Sequence, residues 1–537
     1  MKKTSWIVLI CILALSTALA GCNSSKESSS GNGSGDVKTS GGTLIYGRGA
    51  DSTQLDPAIT TEGESFIVTE QIYETLVNYK KDNTEIEAGL AETWDVSDDG
   101  LTYTFHLRDG IKFHDGTDFN AEAVVKNFKR WAQSKDEAKF AYYASMFGGF
   151  EGDEGHVIKE VKAQDEHTVV FTLNRPQAPF LKNLAMSMFA IASPQALEKY
   201  GDDFTKNPVG TGPFVFKSWK PGDMIEVVKN EDYWQDGLPK LDGVKFKVIK
   251  DNSARLNSLI KGEIDLMDGL NPSDLGQVEG DSKLQLFERP SMNVGYLGFN
   301  VEKAPFDKKE VRQAISHLIN KEELIKNFYE GTAEPAKNPM PPSVSGYNDE
   351  IVDYDYNVDK AKELLKTAGL ENGFEMDLWA MPVARPYMPD GQKVAVAIQA
   401  ALKEVNIKAN IVTFDWGTYL EKVQAGEAPV FMLGWTGDNG DADNFIYTLL
   451  DKDNIGSNNY SRYSNDELHD ILIQAQSNPN EKERVELYKK AQEIIHEDAP
   501  WVPIAHSKPQ LAGIKEIKGF FPHPTGTQSF IDVTLGE

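Results

Sequence analysis

Arg385 and Asp438 carry the chemistry that this sequence offers most plainly. Arginine presents a planar fork that holds a carboxylate through two parallel hydrogen bonds. An ionised aspartate only accepts, and so suits an ammonium group. One fixed cation and one fixed anion together suit a small zwitterion, and their separation measures its length. An extended dipeptide spans about 7 Å, at roughly 3.3–3.6 Å per residue. Trp435 stands three residues before Asp438 and suits the wall of a side-chain pocket. Spacing alone leaves other readings open: a loop cation for Arg385, a turn or helix-cap residue for Asp438, a core residue for Trp435.

Other chemistries fare worse. The acidic run from Asp438 to Asp443 invites calcium, but the third position is Gly440 and no glutamate stands at the twelfth, which breaks the loop spacing. The nine histidines include no close pair at zinc-ligand spacing. There is no Gly-x-Ser-x-Gly elbow and no phosphate loop. Gly47, Gly49 and Gly63 are too scattered for a nucleotide fingerprint, and Asp441 and Asp443 read as turn caps. The sequence offers no catalytic constellation above chance, and no cofactor or metal is expected.

The elements that must position Arg385 and Asp438 are α/β. Residues 374–381 read as a strand, 382–391 as a loop, 392–405 as an amphipathic helix and 407–414 as a strand, which makes a parallel crossover unit. Residues 430–435 are a further apolar strand, followed by the polar segment that begins at Thr436. Ligands bind beyond the carboxyl ends of strands in open parallel sheets, and the loops carrying Arg385 and Asp438 both lie at such ends. Upstream, Asp307 with Glu310 and Asn320 with Glu323 read as helix starts, and 357–368 as a helix stopped by Gly369. The first part of the chain is richer in strands, at 43–48, 168–173 and 214–219. Residues 65–76 read as a helix with Ile67, Ile72 and Leu76 on one face. Residues 102–107 read as a strand that turns at 108–110 into 111–113 as a hairpin, and Asn120 opens a helix.

The start of the chain is different in kind. A basic opening, Met1-Lys2-Lys3, precedes an apolar run from Trp6 to Ala20. The run is shorter than the roughly 20 residues of a spanning helix and has the layout of a secretory signal. Leu19-Ala20-Gly21-Cys22 resembles the lipobox of bacterial lipoproteins, which implies that Cys22 is lipidated and becomes the first mature residue. Two acyl chains suffice for stable anchoring. Residues 23–40, rich in Ser and Gly, read as a flexible tether. Cys11 and Cys22 are the chain's two cysteines, so the mature chain has no disulfide. With 537 residues, 40% of them hydrophobic, the chain has ample core material for about two to four domains. A formal net charge of −27 repels nucleic acid and anionic lipid.

From about residue 42 onward the chain resembles the family-5 solute-binding proteins, the peptide-binding lipoproteins of ATP-driven importers. The segments that carry the likeness run from Leu90 to Trp94, Thr102 to Arg108, Lys112 to Gly116, Pro208 to Phe214, Asn230 to Trp234, Gly262 to Asp265, Asn293 to Leu297 and Val311 to Ile315. Leu378 to Tyr387 and Gly434 to Phe445 resemble the dipeptide-binding members in particular. The resemblance implies an α/β, two-lobed periplasmic-binding-protein-like fold, type II in its large three-domain form, with the ligand cleft between the lobes. It places residues 41–77, 206–290 and 506–537 in the first lobe, an extra domain of that lobe at 78–205, and the second lobe at 291–505, after a signal peptide (1–21) and tether (22–40). It implies that Arg385 holds the peptide carboxylate, that Asp438 holds the amino terminus, that Trp435 lines the pocket, and that Thr61 and Gly63 belong to a ligand-facing loop. The partners implied are a dipeptide or short peptide and an ABC permease, with the protein a monomer, lipid-anchored on the extracytoplasmic face of the cell membrane. Glutathione, haem or a nickel complex are alternative solutes within the same role. A peptide chemoreceptor adaptor or a secreted hydrolase would be a different class.

Overall fold

A computed structural model of the chain describes residues 41–134 and 139–536. The signal, Cys22 and the Ser/Gly tether lie outside the described residues. Two large sheets organise the rest. A seven-stranded sheet has Thr43–Arg48 near its middle, parallel to Gly243–Val248 on one side and to Leu266–Met267 on the other. A six-stranded sheet has Asn293–Phe299 near its middle, between Trp501–Ser507 and Val430–Thr436. Every residue of Asn293–Phe299 is buried, as expected of a strand covered on both faces. The chain passes between the sheets twice, after Leu284–Glu288 and after Trp501–Ser507. The two crossings touch where the Arg289 amide donates to the Pro509 carbonyl at 2.9 Å. We call the body of the seven-stranded sheet the first lobe and that of the six-stranded sheet the second.

A four-stranded antiparallel sheet joins the first lobe. Its aromatic core, with Phe105, Phe128, Phe171 and Phe180, meets the core of the seven-stranded sheet through Val209, which packs against both.

The crossover unit expected around Arg385 is present. Glu375–Trp379 pairs in parallel with Lys408–Val412, from Glu375 opposite Lys408 to Trp379 opposite Val412, and with Val430–Thr436. The helix Gly391–Lys403 connects the first two, capped by Asp390, whose carboxylate accepts from the Lys393 amide at 3.0 Å. It buries Val394, Ala395, Ile398 and Leu402, the stripe that an amphipathic helix turns to a sheet.

Three expected elements differ. The helix read over 65–76 spans only Gly63–Thr69. Beyond it, the carbonyls of Gln71 and Ile72 are taken by the amides of Phe214 and Gly212, at 3.0 and 2.9 Å, so the helical ladder cannot continue. Gly210 and Gly212 make that approach possible, since a Cβ on either would lie 2.2–2.6 Å from the Ile72 carbonyl group. The hairpin read over 102–113 does not form, because both edges of Thr102–Leu107 are occupied, by Ala91–Val96 and by Thr168–Leu173. Residues 111–113 fold back on 117–119 instead. The helix expected from Asp307 begins at Lys309 without a side-chain cap, whereas Asn320 does cap its helix by accepting from the Glu323 amide.

Candidate functional site

The strand Val430–Thr436 ends between the lobes, and residues 437–441 form the loop that carries Asp438. Asp438, Trp435 and Thr61 line one cavity of about 590 Å³. Thr61 comes from the first lobe, Trp435 and Asp438 come from the second, and Tyr142 adds a wall from the helix Ala141–Phe147. The cavity is thus shared between the two lobes.

Asn444 orients the second lobe's share. Its Oδ1 accepts from the Trp435 indole Nε1 and from the Asp438 amide, both at 3.0 Å, while its Nδ2 donates to Asp438 Oδ2 at 3.1 Å. Asn444 is buried in the first turn of the helix Ala442–Leu450, so a rigid element fixes both side chains. Asp438 is half-buried. Burial pushes its carboxyl up to about 6, against hydrogen bonds with Asn444 and Tyr142 that favour the ionised form. Among the described residues it has no cationic partner. A carboxylate desolvated without a cation favours a ligand that brings one.

Asp441 and Asp443 do other work. Asp441 caps the same helix by accepting from the Asp443 amide and is chelated by Arg484 at 2.8 and 3.2 Å. Although burial raises it, Arg484 and Lys182 hold its carboxyl well below the usual range. Burial, and then the Asp441 charge, push Asp443 up to about 7.

Arg385 lies at the same sheet edge but outside the lining of that cavity. It is exposed, with its guanidinium 5.0 Å from the centre of the Trp416 ring, and among the described residues no carboxylate pairs with it. Its amide and carbonyl pair with Met388 in a tight turn. Two residues on, Tyr387 seats this loop on the sheet. A Cβ at Gly434 would lie 2.1 Å from Tyr387 Cδ2, and one at Gly295 would lie 2.3 Å from the Tyr387 carbonyl oxygen. The paired glycines of the two neighbouring strands, Gly295 opposite Gly434, make the seat. Gly63 is exposed at the start of its helix, with open space around it and outside the cavity lining. The structure therefore brings Trp435, Asp438 and Thr61 together and leaves Arg385 and Gly63 beside them.

Sequence reading missed Asn444 and Tyr142. Asn444 lay within the segment noted for its likeness but reads only as part of the polar loop after the strand. Tyr142 comes from nearly 300 positions upstream, and no local pattern announces it.

A two-lobed α/β body with an aspartate and an indole presented into the cleft defines a solute-binding protein. Residues 85–457 match the family model of the bacterial extracellular solute-binding proteins, family 5. The chain is 41% identical over 511 residues to the dipeptide-binding protein of Escherichia coli (strain K12), covering 92% of this chain and 94% of that one. It is 38% identical over 547 residues to the haem-binding protein A of Haemophilus influenzae, covering 98% of each. Its fold superposes on the ABC transporter-associated periplasmic binding protein DppA of Helicobacter pylori, solved in complex with the peptide STSA. That match has a TM-score of 0.76 and 39% identity, and covers 93% of this chain and 99% of that one. The chain belongs to the family-5 bacterial extracellular solute-binding proteins, the non-catalytic substrate-binding components of ABC importers. No helix among the described residues is long and apolar enough to cross a membrane.

Proposed function

We propose that this protein captures dipeptides or short oligopeptides between its lobes and delivers them to an ABC permease. Asp438 holds the ligand's ammonium group, Arg385 faces its carboxylate, and Trp435 and Thr61 wall the space around the first residue. Cys22 carries the lipid that keeps the protein, as a monomer, at the outer face of the membrane. The first lobe is built from residues 41–77, 78–205, 206–290 and 506–537, and the second from 291–505. The observation that carries the reading is Asp438 itself, a half-buried carboxylate with no cation beside it among the described residues, held by Asn444 at the carboxyl end of a strand and facing a cavity shared by both lobes. Such a group favours a cationic ligand end. The relatives named for dipeptide and peptide binding support the choice of ligand.

The test is mass spectrometry of ligand released from the purified protein, followed by calorimetry with the dipeptides found. Recovery of short peptides that rebind supports the reading. Recovery of haem, glutathione or a nickel complex, with no binding of Ala-Ala or Ala-Phe, overturns it.

A further inference from the structure

The loop that presents Asp438 also joins the two lobes. Its next three residues are each bonded to the first lobe. Asn439 Nδ2 donates to Asn183 Oδ1 at 2.7 Å. The Gly440 carbonyl accepts from Lys182 Nζ at 3.0 Å and from Thr84 Oγ1 at 3.3 Å. The Asp441 carboxylate lies 3.6 Å from Lys182 Nζ. Asn439, Asp441 and Thr84 are all buried.

Gly440 makes the approach possible. Its φ is +63°, and a Cβ there would lie 2.4 Å from both Thr84 Cγ2 and Oγ1. Any other residue would be strained and would also hold the lobes apart.

The charges divide between the lobes. Arg484, which chelates Asp441, belongs to the second lobe and stays with it whether the cleft is open or closed. Among the described residues Lys182 is the first-lobe cation that faces Asp441. Its side chain is only 16% exposed and that of Asp441 is 3% exposed, so solvent screens the pair far less than it screens a surface ion pair. Opening the cleft separates Lys182 from both of its acceptors at once.

We propose that Lys182, with Thr84 and Asn183, is the latch of the cleft, and that Lys182 sets the fraction of molecules that are closed. The inference rests on the solute-capture reading above and deepens it. The segment that receives the ligand's ammonium is continuous with the segment that locks the lobes, so Lys182 acts as a positioning residue rather than a ligand contact. A residue that changes only the closed population changes the apparent affinity for every ligand by one common factor. The change falls mainly on the rate of release.

The experiment compares the full mature chain with Lys182→Met, Lys182→Arg and Gly440→Ala in two arms. The first needs no ligand. Small-angle scattering of ligand-free Lys182→Met and Gly440→Ala should give a larger radius of gyration than wild type, and Lys182→Arg should stay near wild type. In the second arm, Ala-Ala, Ala-Phe and Gly-Leu are titrated calorimetrically. Lys182→Met should weaken all three by the same factor, roughly tenfold to a hundredfold for the loss of a hydrogen bond to a charged donor, with release accelerated to match. Scattering indistinguishable from wild type, together with unchanged affinities, overturns the latch. A loss that differs among the three peptides overturns it too, because Lys182 would then touch the ligand. Failure of wild type to bind any dipeptide would overturn the proposed ligand instead, and the ligand-free arm would still decide the latch.

Discussion

Asn444 and Asp438 hold each other by two reciprocal hydrogen bonds. The Asp438 amide donates to Asn444 Oδ1 at 3.0 Å, and Asn444 Nδ2 donates to Asp438 Oδ2 at 3.1 Å. The same Oδ1 also accepts from Trp435. A leucine at 444 would keep the volume but leave these donors without partners and the carboxylate with Tyr142 alone. Each buried group left unpaired costs about 1–3 kcal/mol. Asn444→Leu should therefore lower the midpoint of thermal unfolding and weaken dipeptide binding, with a changed Trp435 emission. Binding and emission equal to wild type would show that Asn444 does not organise the site.

The Asp438 carboxyl gives binding a pH dependence whose sign follows from its environment. Burial raises it to about 6 in the ligand-free protein. Only the ionised form pairs with an ammonium, so affinity should rise through this value and level off by about pH 7, holding to about pH 8, where the ligand's own α-amino group begins to lose its proton. Below about pH 6 it should fall by about tenfold per pH unit. The bound ammonium lowers the carboxyl's pKa, so binding at pH 6 should release protons. Calorimetry in two buffers of different ionisation enthalpy measures that release directly. Asn444, Tyr142 and Tyr79 face this carboxyl and do not titrate in this range, whereas Asp443, which lines the same cavity and is pushed up to about 7, does, so the profile is compared with that of Asp443→Asn. Affinity independent of pH between 4.5 and 7.5 would mean that Asp438 does not receive the ammonium.

What the sequence made legible was local. The crossover unit at 374–414 was readable because its helix and strands announce themselves by period and by caps such as Asp390. The placement of Asp438 beyond a strand's carboxyl end followed from the apolar run before it. What was not legible depends on distant partners. The helix after Gly63 stops because Gly212 and Phe214 take its carbonyls. The strand 102–107 forgoes its hairpin because two other strands already flank it. The partners of the Asp438 loop, Tyr142, Lys182 and Thr84, lie some 250–360 positions away, and nothing periodic links them.

Gly434 should prove as important to the carboxylate end as Asn444 is to the amino end. A methyl group there would meet the Tyr387 ring at 2.1 Å from Cδ2. Tyr387 is also held by its carbonyl, which accepts from the Tyr329 hydroxyl at 2.9 Å, so its loop must shift as a unit and carry Arg385 with it. Gly434→Ala should leave the protein folded but weaken binding of free dipeptides more than that of their C-terminal amides. Equal weakening of both would place the damage elsewhere.

The proposed lipid anchor rests on the lipobox-like Leu19-Ala20-Gly21-Cys22 alone. Cys22→Ala should abolish incorporation of labelled palmitate and move the protein from the membrane to the soluble fraction on ultracentrifugation. Recovery of the variant in membranes at the wild-type level would mean that something other than a lipid on Cys22 holds it there.

The charge clamp should be unequal at its two ends. Asp438 is half-buried and, among the described residues, lacks a cation, whereas Arg385 is exposed and rests on Trp416. Removing one partner of a buried ion pair typically costs about 2–5 kcal/mol, because the other charge is left buried and unpaired, which corresponds to roughly thirtyfold to several thousandfold in affinity. An exposed pair contributes only about 0.2–1 kcal/mol, up to about fivefold. Asp438→Ala should accordingly weaken dipeptide binding far more than Arg385→Ala does. Each substitution should also remove sensitivity to one blocked end. N-acetylation of the ligand should cripple binding to wild type yet matter little to Asp438→Ala, and C-terminal amidation should matter little to Arg385→Ala. Calorimetry across the full set of proteins and ligands reads both effects. If both variants still distinguish free from blocked ends as strongly as wild type, other residues read the termini. If Arg385→Ala proves as costly as Asp438→Ala while the cross-pairing holds, ligand binding must bury the guanidinium that is exposed here, which would make closure over Arg385 part of recognition.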